Sequence, residues 1–152
     1  MKSIREMSQP EIGALVVSHL KKMGIPVVLS GGAVVSIYSH ARYVSKDLDL
    51  VNIYSHRVGE IKNAMASMGF REEGRYYRHP DSEFFIEFPP GPLSVGTEPI
   101  REIKNKRYET GVLSLISYLA NRMRQRSPGC ILPLGGFAKF GTGSFSLSQP
   151  EN

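Results

Sequence analysis

The stretch VVLSGGAVVSIYSHARYVSKDLDLVN, residues 27–52, determines how the rest of the chain is interpreted. Its pattern predicts a short apolar strand, a Ser-Gly-Gly turn at residues 30–32 and a helix over residues 33–38. A basic, polar loop follows, and then a second apolar strand containing Asp-Leu-Asp-Leu at residues 47–50. This order of elements predicts a strand–turn–helix–strand unit with its polar groups gathered at the turn and on the second strand.

The second strand carries a pair of carboxylates. Side chains two residues apart in a strand point to the same face, so we expect Asp47 and Asp49 to project together, roughly 6–7 Å apart along the strand. Leu48 and Leu50 then face the other way, into the core. Two ionised aspartates repel each other, and a common reason to keep them together is a hard cation such as Mg²⁺, which binds carboxylates and substrate phosphates.

The turn before the helix consists of Ser30, Gly31 and Gly32. Glycine is required where the backbone bends sharply or where a ligand approaches main-chain N–H groups. The free N–H groups at the start of the following helix favour an anion. The alternative is a tight strand–helix turn without a ligand. Beside the aspartate pair, we favour a phosphate site.

Gly-Gly after a strand, about fifteen residues, and then Asp-apolar-Asp-apolar resemble the signature of the nucleotidyltransferase superfamily. The chain is most similar to the small, stand-alone prokaryotic members of this polymerase-β-like fold. The resemblance is strong from Ile25 to about Asn52 and looser to about Thr110. It implies an α+β (α/β-like) fold, in which a mixed β-sheet is flanked by helices, over residues 1–117.

The resemblance also implies a third carboxylate on a later strand. In the run Phe-Phe-Ile-Glu-Phe, residues 84–88, Glu87 is the only polar residue. An acid there is costly if it faces the core unpaired, so we expect it to face a polar site. Glu87 is the candidate for the third carboxylate, and Glu83, on the same face of the predicted strand, is the competitor. The other alternative is that Glu87 lies on an edge strand and points at water.

The loop between the helix and the second strand is basic. Arg42 and Lys46 are candidates to steer or clamp a triphosphate. A solvated charged loop is the alternative, in which Lys46 balances the charge of Asp47. Arg101, Lys104, Lys106 and Arg107 form a later basic stretch, for which a solvated face is favoured over a nucleic-acid contact because no aromatic stacking pattern accompanies it.

The remaining pattern predicts further helices and strands. Ser8 or Gln9, followed by Pro10 and Glu11, predicts the start of a helix that ends at Gly24. The other predicted elements are a helix over residues 56–68, two strands over 70–78 and 83–88 that form a hairpin, and short strands over 93–95 and 99–104.

The composition limits the class of protein. The chain has 152 residues, a net charge of +5 and one cysteine, Cys130. One cysteine excludes a disulfide framework and a cysteine-based zinc site. The basic charge suits a polyanionic partner. Without an apolar run of the length that a membrane span requires, about 18 residues, and without an apolar signal core, the sequence predicts a cytoplasmic protein with no membrane partner.

The C-terminal region does not follow the resembling families, which continue with a helical segment. Residues 118–152 contain five glycines and three prolines with no lasting hydrophobic period, which predicts a disordered tail. Back-translated and shifted by one base, residues 118–136 are compatible with ISPTECVKDRLAAFYHWGD, which has a helix-start pattern and an apolar stripe. Our hypothesis is a one-base insertion or deletion near residues 116–118 that replaced the native C-terminus.

Together these features predict a Mg²⁺- or Mn²⁺-dependent nucleotidyltransferase that moves a nucleotide from an NTP to a hydroxyl acceptor. By resemblance, Asp47 and Asp49 are metal ligands, and Glu87 is a third ligand or the base on the attacking hydroxyl. The acceptor is left open between RNA, a protein and a small molecule. Because similar proteins occur as toxins, an antitoxin-like partner protein is expected. The alternatives are a non-catalytic nucleotide- or nucleic-acid-binding protein of the same fold and an inactive, truncated gene product.

Overall fold

The computed structural model describes residues 1–40, 42, 44–54, 58–95 and 98–117. Within them the chain forms a single 3-10 turn, then three helices interleaved with two strands, and then seven consecutive strands. The helices are α1 (Gln9–Lys22), α2 (Gly32–Tyr38) and α3 (Val58–Ser67). The strands are β1 (Val27–Ser30), β2 (Asp47–Asn52), β3 (Arg71–Glu73), β4 (Tyr76–Arg78), β5 (Phe85–Glu87), β6 (Ser94–Val95), β7 (Glu98–Pro99), β8 (Ile103–Tyr108) and β9 (Gly111–Ile116).

Seven of these strands form one mixed sheet in the order β3-β4-β5-β2-β1-β9-β8. β2 runs parallel to β5, and β1 runs parallel to β9. The other neighbours in this sheet are antiparallel, and β6 and β7 form a separate two-stranded ribbon. The predicted α+β class with a mixed sheet is therefore confirmed.

The core lies between one face of the sheet and the helices. α1 packs against β9 and β1 and also contacts α2 and α3. Gly13 allows the close approach of α1, because a Cβ at this position would lie 3.1 Å from Leu113 Cδ1. Leu48 and Leu50 are fully buried, as the alternation of β2 predicts, and Ile86 of β5 is fully buried beside them. Burial of these apolar side chains is the main favourable contribution to folding.

The start of α1 follows its local sequence. Ser8 is the N-cap, Pro10 lies in the first turn, and the Glu11 carboxylate accepts hydrogen bonds from the backbone N–H and the hydroxyl of Ser8, each at 2.8 Å. Such a capping box satisfies N–H groups that have no partner inside the helix. The predicted helix start is confirmed, and the chain leaves the helix through Gly24 at φ +76°.

The predicted hairpin of strands 70–78 and 83–88 is wrong in detail. The first segment is itself a hairpin, because Gly74 at φ +64° turns the chain between β3 and β4. β5 is shorter than predicted and leaves Glu83 outside the strand. The long β8–β9 hairpin at the end of the described chain extends beyond the short strand predicted over 99–104.

No helix in the described part of the chain is long and apolar enough to cross a membrane. The predictions for residues 118–152, a disordered tail and a shifted reading frame, lie outside the described residues.

Candidate functional site

Three carboxylates lie on one face of two neighbouring parallel strands. The register of β2 and β5 pairs Asp47 with Phe85 and Asp49 with Glu87. Directly paired residues on adjacent strands project to the same face, and adjacent strands lie about 4.8 Å apart. Asp47, Asp49 and Glu87 therefore share the face opposite the leucines of the core. We call this surface the carboxylate face.

Two of these acids are removed from solvent. Asp49 and Glu87 are each only 8% exposed, and Asp47 is half-buried. Glu87 Oε1 lies 3.6 Å from Arg75 Nε, whereas Glu87 Oε2 is buried and has no hydrogen-bond partner among the described residues. A buried, unsatisfied carboxylate oxygen is destabilising unless something else supplies a partner. Glu87 Oε2 is therefore open to a partner that the described residues do not supply.

Burial alters the proton affinity of two of these groups. Desolvation raises the pKa of the Asp47 carboxyl, and the positive charges of Arg75 and Arg78 partly oppose this shift. Desolvation also raises the pKa of Glu87, where Arg75 opposes the shift and the negative charge of Asp47 adds to it. The two acids therefore hold protons more tightly than acids in water do.

The Ser-Gly-Gly turn lies directly against this acidic pair of strands. Gly31 is the residue before α2 and has φ +74° and ψ −154°, a backbone region that is essentially restricted to glycine. A Cβ at Gly31 would overlap Asp49 Oδ2 and lie 3.0 Å from Asp49 Cγ. The Asp49 carboxylate thus covers Gly31, and a side chain at this position is excluded twice, by space and by conformation.

Ser30 and Gly32 complete the turn. Ser30 pairs with Asp49 across β1 and β2, and its buried hydroxyl donates to the Asp49 carbonyl oxygen at 3.4 Å. Gly32 is buried and is the first residue of α2. The three turn residues therefore lie beside Asp49, where the end of β1 meets the carboxylate face.

The basic loop residues are placed differently. Lys46 is exposed, and its Nζ lies 3.1 Å from a carboxylate oxygen of Glu83, whose side chain is 65% exposed. Arg42 is also exposed, and its backbone N–H donates to the Ser39 carbonyl oxygen at 3.2 Å. Of the two acids considered for the third carboxylate, Glu87 lies in register with Asp49 and Glu83 lies in an exposed ion pair.

Two arginines that bear on the site were not predicted from the sequence. Arg75 follows Gly74 in the β3–β4 turn and reaches Glu87, and its guanidinium also donates to the Tyr76 hydroxyl. Arg78 lies opposite Phe85 in the β4–β5 register. The signal was present as Arg-Tyr-Tyr-Arg at residues 75–78, but it acquires meaning only when the register places β4 beside β5.

In the part of the chain that the structure describes, no group of three or more His, Cys, Asp or Glu side chains is arranged to hold a metal ion. Arg75 engages one oxygen of Glu87, and the Asp49 carboxylate lies against Gly31. As they stand, the three carboxylates share a face but do not form a metal-ligand cluster.

The chain matches no protein-family model, no curated protein and no solved structure. Its function is therefore inferred from the geometry and chemistry of the residues themselves.

Proposed function

We propose that this chain is a Mg²⁺- or Mn²⁺-dependent nucleotidyltransferase with a nucleotidyltransferase fold. The observation that carries the proposal is the register of Asp49 with Glu87, which places an unsatisfied carboxylate oxygen beside the two aspartates. The Ser-Gly-Gly turn packed on Asp49 supports it from the other side. Burial of an acidic face next to a glycine turn lowers the stability of the fold unless a cation and an anionic substrate bind there.

By their chemistry the residues present suit a hard cation, and binding would require the carboxylates to turn toward one another, because the described residues form no metal-ligand cluster as they stand. Carboxylate oxygens are the ligands that Mg²⁺ prefers, and Glu87 Oε2 offers one with no other partner among the described residues. Asp47, Asp49 and Glu87 would hold the ion. When bound, it would neutralise charge on phosphate oxygens and stabilise the attacking and leaving oxygens.

The chain's own residues would bind and orient the nucleotide. The Asp49 carboxylate, which covers Gly31, would turn toward the bound cation and leave the backbone of Ser30, Gly31 and Gly32 to contact the β- and γ-phosphates of an NTP, because glycine lets a ligand approach main-chain N–H groups closely. Arg42 and Lys46 would offset the charge of these phosphates. Lys46 is available for this role because its pairing with Glu83 is exposed, and such surface pairs contribute at most about 1 kcal/mol.

The proposed reaction is an in-line displacement at the α-phosphorus. A hydroxyl oxygen of the acceptor forms a bond to that phosphorus, the bond to the bridging oxygen of the β-phosphate breaks, and pyrophosphate leaves with the electron pair. The hydroxyl proton passes to a carboxylate, for which Glu87 is the candidate if it is not a metal ligand. The raised pKa of Glu87 makes its carboxylate a stronger base than a carboxylate in water.

The experiment that tests the proposal is transfer of label from α-³²P NTPs. The purified chain is incubated with each of the four NTPs, Mg²⁺ or Mn²⁺, and RNA, protein or small-molecule hydroxyl acceptors. We expect Asp47→Asn to lower transfer by about a thousandfold or more, because metal-assisted charge stabilisation contributes several kcal/mol. The fold should remain intact, as judged by circular dichroism and thermal melting.

The matched control is Asp81→Asn. Asp81 is a partly exposed acid whose Oδ1 pairs with Arg5 at 2.8 Å, so this variant should transfer at the wild-type rate. Wild-type transfer by Asp47→Asn would refute the proposal. Calorimetric binding of Mg²⁺–NTP without labelled product on any acceptor would instead support a non-catalytic nucleotide-binding protein.

Sequencing of the source DNA across codons 110–130 determines how a negative result is interpreted. If the shifted frame is open there, the protein restored to that frame is assayed beside the 152-residue chain. If the present frame is genuine, absence of transfer counts directly against the enzyme.

A further inference from the structure

Two aromatic rings extend the carboxylate face beyond Glu87. The β4–β5 register places Tyr76 opposite Glu87 and Arg78 opposite Phe85. The rings of Tyr76 and Phe85 meet edge to face, with centroids 4.8 Å apart and planes at 74°. We call Tyr76, Phe85, Arg75 and Arg78 together the Tyr–Phe platform.

Both arginines of the platform lie over its rings. The Arg78 guanidinium is 4.5 Å from the Phe85 centroid and 5.9 Å from the Tyr76 centroid, and the Arg75 guanidinium is 4.8 Å from the Tyr76 centroid. The arginine side chains are 53% and 46% exposed, so their planar groups remain accessible from solvent. Each also has an acidic neighbour, Glu87 for Arg75 and Glu73 at 3.1 Å for Arg78.

This combination of groups matches the chemistry of single-stranded nucleic acid. Unpaired bases stack on aromatic rings and on arginine guanidinium planes, and the same arginines bind backbone phosphates. A phosphate at the platform would replace the exposed carboxylate of Glu73 as the partner of Arg78. An apolar acceptor would gain nothing from two guanidinium groups, so a nucleic acid fits this surface best.

The position of the platform in the sheet indicates which substrate it contacts. The strand order β1-β2-β5-β4 places the Ser-Gly-Gly turn on one side of the carboxylates and the platform on the other. In an in-line displacement the attacking and leaving oxygens lie on opposite sides of the phosphorus. If the turn holds the departing phosphates, the platform lies on the side from which the acceptor enters.

We propose that the Tyr–Phe platform stacks the terminal base of a single-stranded nucleic-acid acceptor and thereby directs its end hydroxyl toward Glu87. This inference rests on the proposed function, because it names the acceptor class for that same site. The bases stack on the layer formed by the two rings and the guanidinium planes of Arg75 and Arg78 that lie over them, without readout of the base sequence, and the same guanidinium groups contact the acceptor backbone.

The test is equilibrium binding of fluorescent single-stranded RNA and DNA oligonucleotides of about 12 nucleotides, measured by anisotropy in Mg²⁺ without NTP. Tyr76→Leu and Phe85→Leu should each weaken binding about tenfold, because they keep apolar packing but remove a stacking ring. Tyr76→Phe, which keeps the ring but removes the hydroxyl that accepts from Arg75, should weaken binding less than Tyr76→Leu does. Arg78→Gln should weaken binding and reduce the slope of log affinity against log salt by about one.

The matched controls lie elsewhere in the chain. Tyr54→Leu removes an exposed ring beyond the far end of β2, and Lys104→Gln removes a charge from β8 at the opposite edge of the sheet. Both should change the affinity much less than the platform variants do. Comparison of the RNA and DNA arms shows whether the 2′-hydroxyl contributes to binding.

Wild-type affinity in Tyr76→Leu, or no binding of either oligonucleotide by the wild-type chain, overturns the platform. The proposed function fails separately. If oligonucleotide binding depends on Tyr76 but the chain transfers no nucleotide, the Tyr–Phe platform is supported and the proposed enzymatic function is refuted. If the chain transfers a nucleotide to a protein or small-molecule acceptor and Tyr76→Leu does not change the rate, the enzymatic function is supported and the role of the Tyr–Phe platform is refuted.

Discussion

The two faces of β2 and β5 are built from alternate residues of the same strands and have opposite characters. On one face, Leu48, Leu50 and Ile86 are fully buried in the hydrophobic core. On the other, Asp49 and Glu87 are almost as well buried, yet they are acids. The core face stabilises the fold by removing apolar surface from water, whereas the carboxylate face destabilises it by removing charge from water.

This difference separates residues that maintain the fold from residues that maintain a site. A sequence that folds only for stability has no reason to bury an acid with an unsatisfied oxygen. Substitutions on the two faces should therefore have opposite effects on stability. Substitutions of neighbouring or chemically similar residues allow the free energies of unfolding to be compared between the two faces.

Ile86 and Glu87 are adjacent in β5 and point to opposite faces. Ile86→Ala should lower the free energy of unfolding by about 2–5 kcal/mol, because it leaves a cavity in the core. Glu87→Gln should leave it unchanged or raise it, because it removes a buried charge. Urea unfolding of the three proteins at pH 7 without divalent metal measures both effects. A large loss of stability in Glu87→Gln would show that Glu87 is a structural residue and would end the contrast between the faces.

Gly31 tests how tightly the turn is fitted to the carboxylate face. Gly31→Ala should destabilise the chain by about 1–3 kcal/mol from backbone strain at φ +74°, with a further penalty from overlap with Asp49 Oδ2. In the background of Asp49→Ala, the overlap is removed and only the strain remains. The cost of Gly31→Ala in urea unfolding should therefore be smaller in that background. Equal costs in the two backgrounds would show that the Asp49 carboxylate does not restrict the turn.

Glu11 is an acid that stabilises the fold, in contrast to the acids of the carboxylate face. Lys2 and Ser8 donate to its carboxylate and hold its pKa at about 2, below the ordinary value of 4.5. Its contribution to stability is therefore complete above pH 4.5 and is lost as the pH falls toward 2. Glu11→Gln should cost about 1 kcal/mol at pH 7, and the difference from wild type should shrink below pH 4.5.

The control for Glu11 is Glu83→Gln, which removes an acid from an exposed ion pair with Lys46. This variant should change the free energy of unfolding by less than about 1 kcal/mol. A difference between wild type and Glu11→Gln that stays constant from pH 7 to pH 3 would contradict the assignment of a charged carboxylate to the cap.

The sequence was most informative where the pattern is local. Alternation in β2 predicted the burial of Leu48 and Leu50, and Ser8 with Glu11 predicted the start of α1. Both predictions succeed because they depend on residues within one element. The turn at residues 30–32 was also located, because glycine after an apolar strand has a direct conformational meaning.

Pairings between distant segments could not be predicted from the sequence. Arg75 reaches Glu87 only because β4 pairs with β5 in one particular register, which local patterns do not specify. Gly74 separates β3 from β4, but a single glycine within a strand pattern is equally compatible with a bulge in one continuous strand. The exposed ion pair of Lys46 with Glu83 is likewise a contact between separate segments.

The parallel pairing of Leu29 with Leu115 joins the beginning of the described sheet to its end and makes β1 an interior strand. A ribosome releases β1 early and β9 late. Until β9 has been made, one edge of the apolar segment Val27–Leu29 has no neighbour in the sheet. Unpaired strand edges are sites of aggregation during synthesis. A nascent chain that stalls before Gly111 therefore exposes an unpaired, aggregation-prone strand edge. We expect such a chain to be a chaperone substrate.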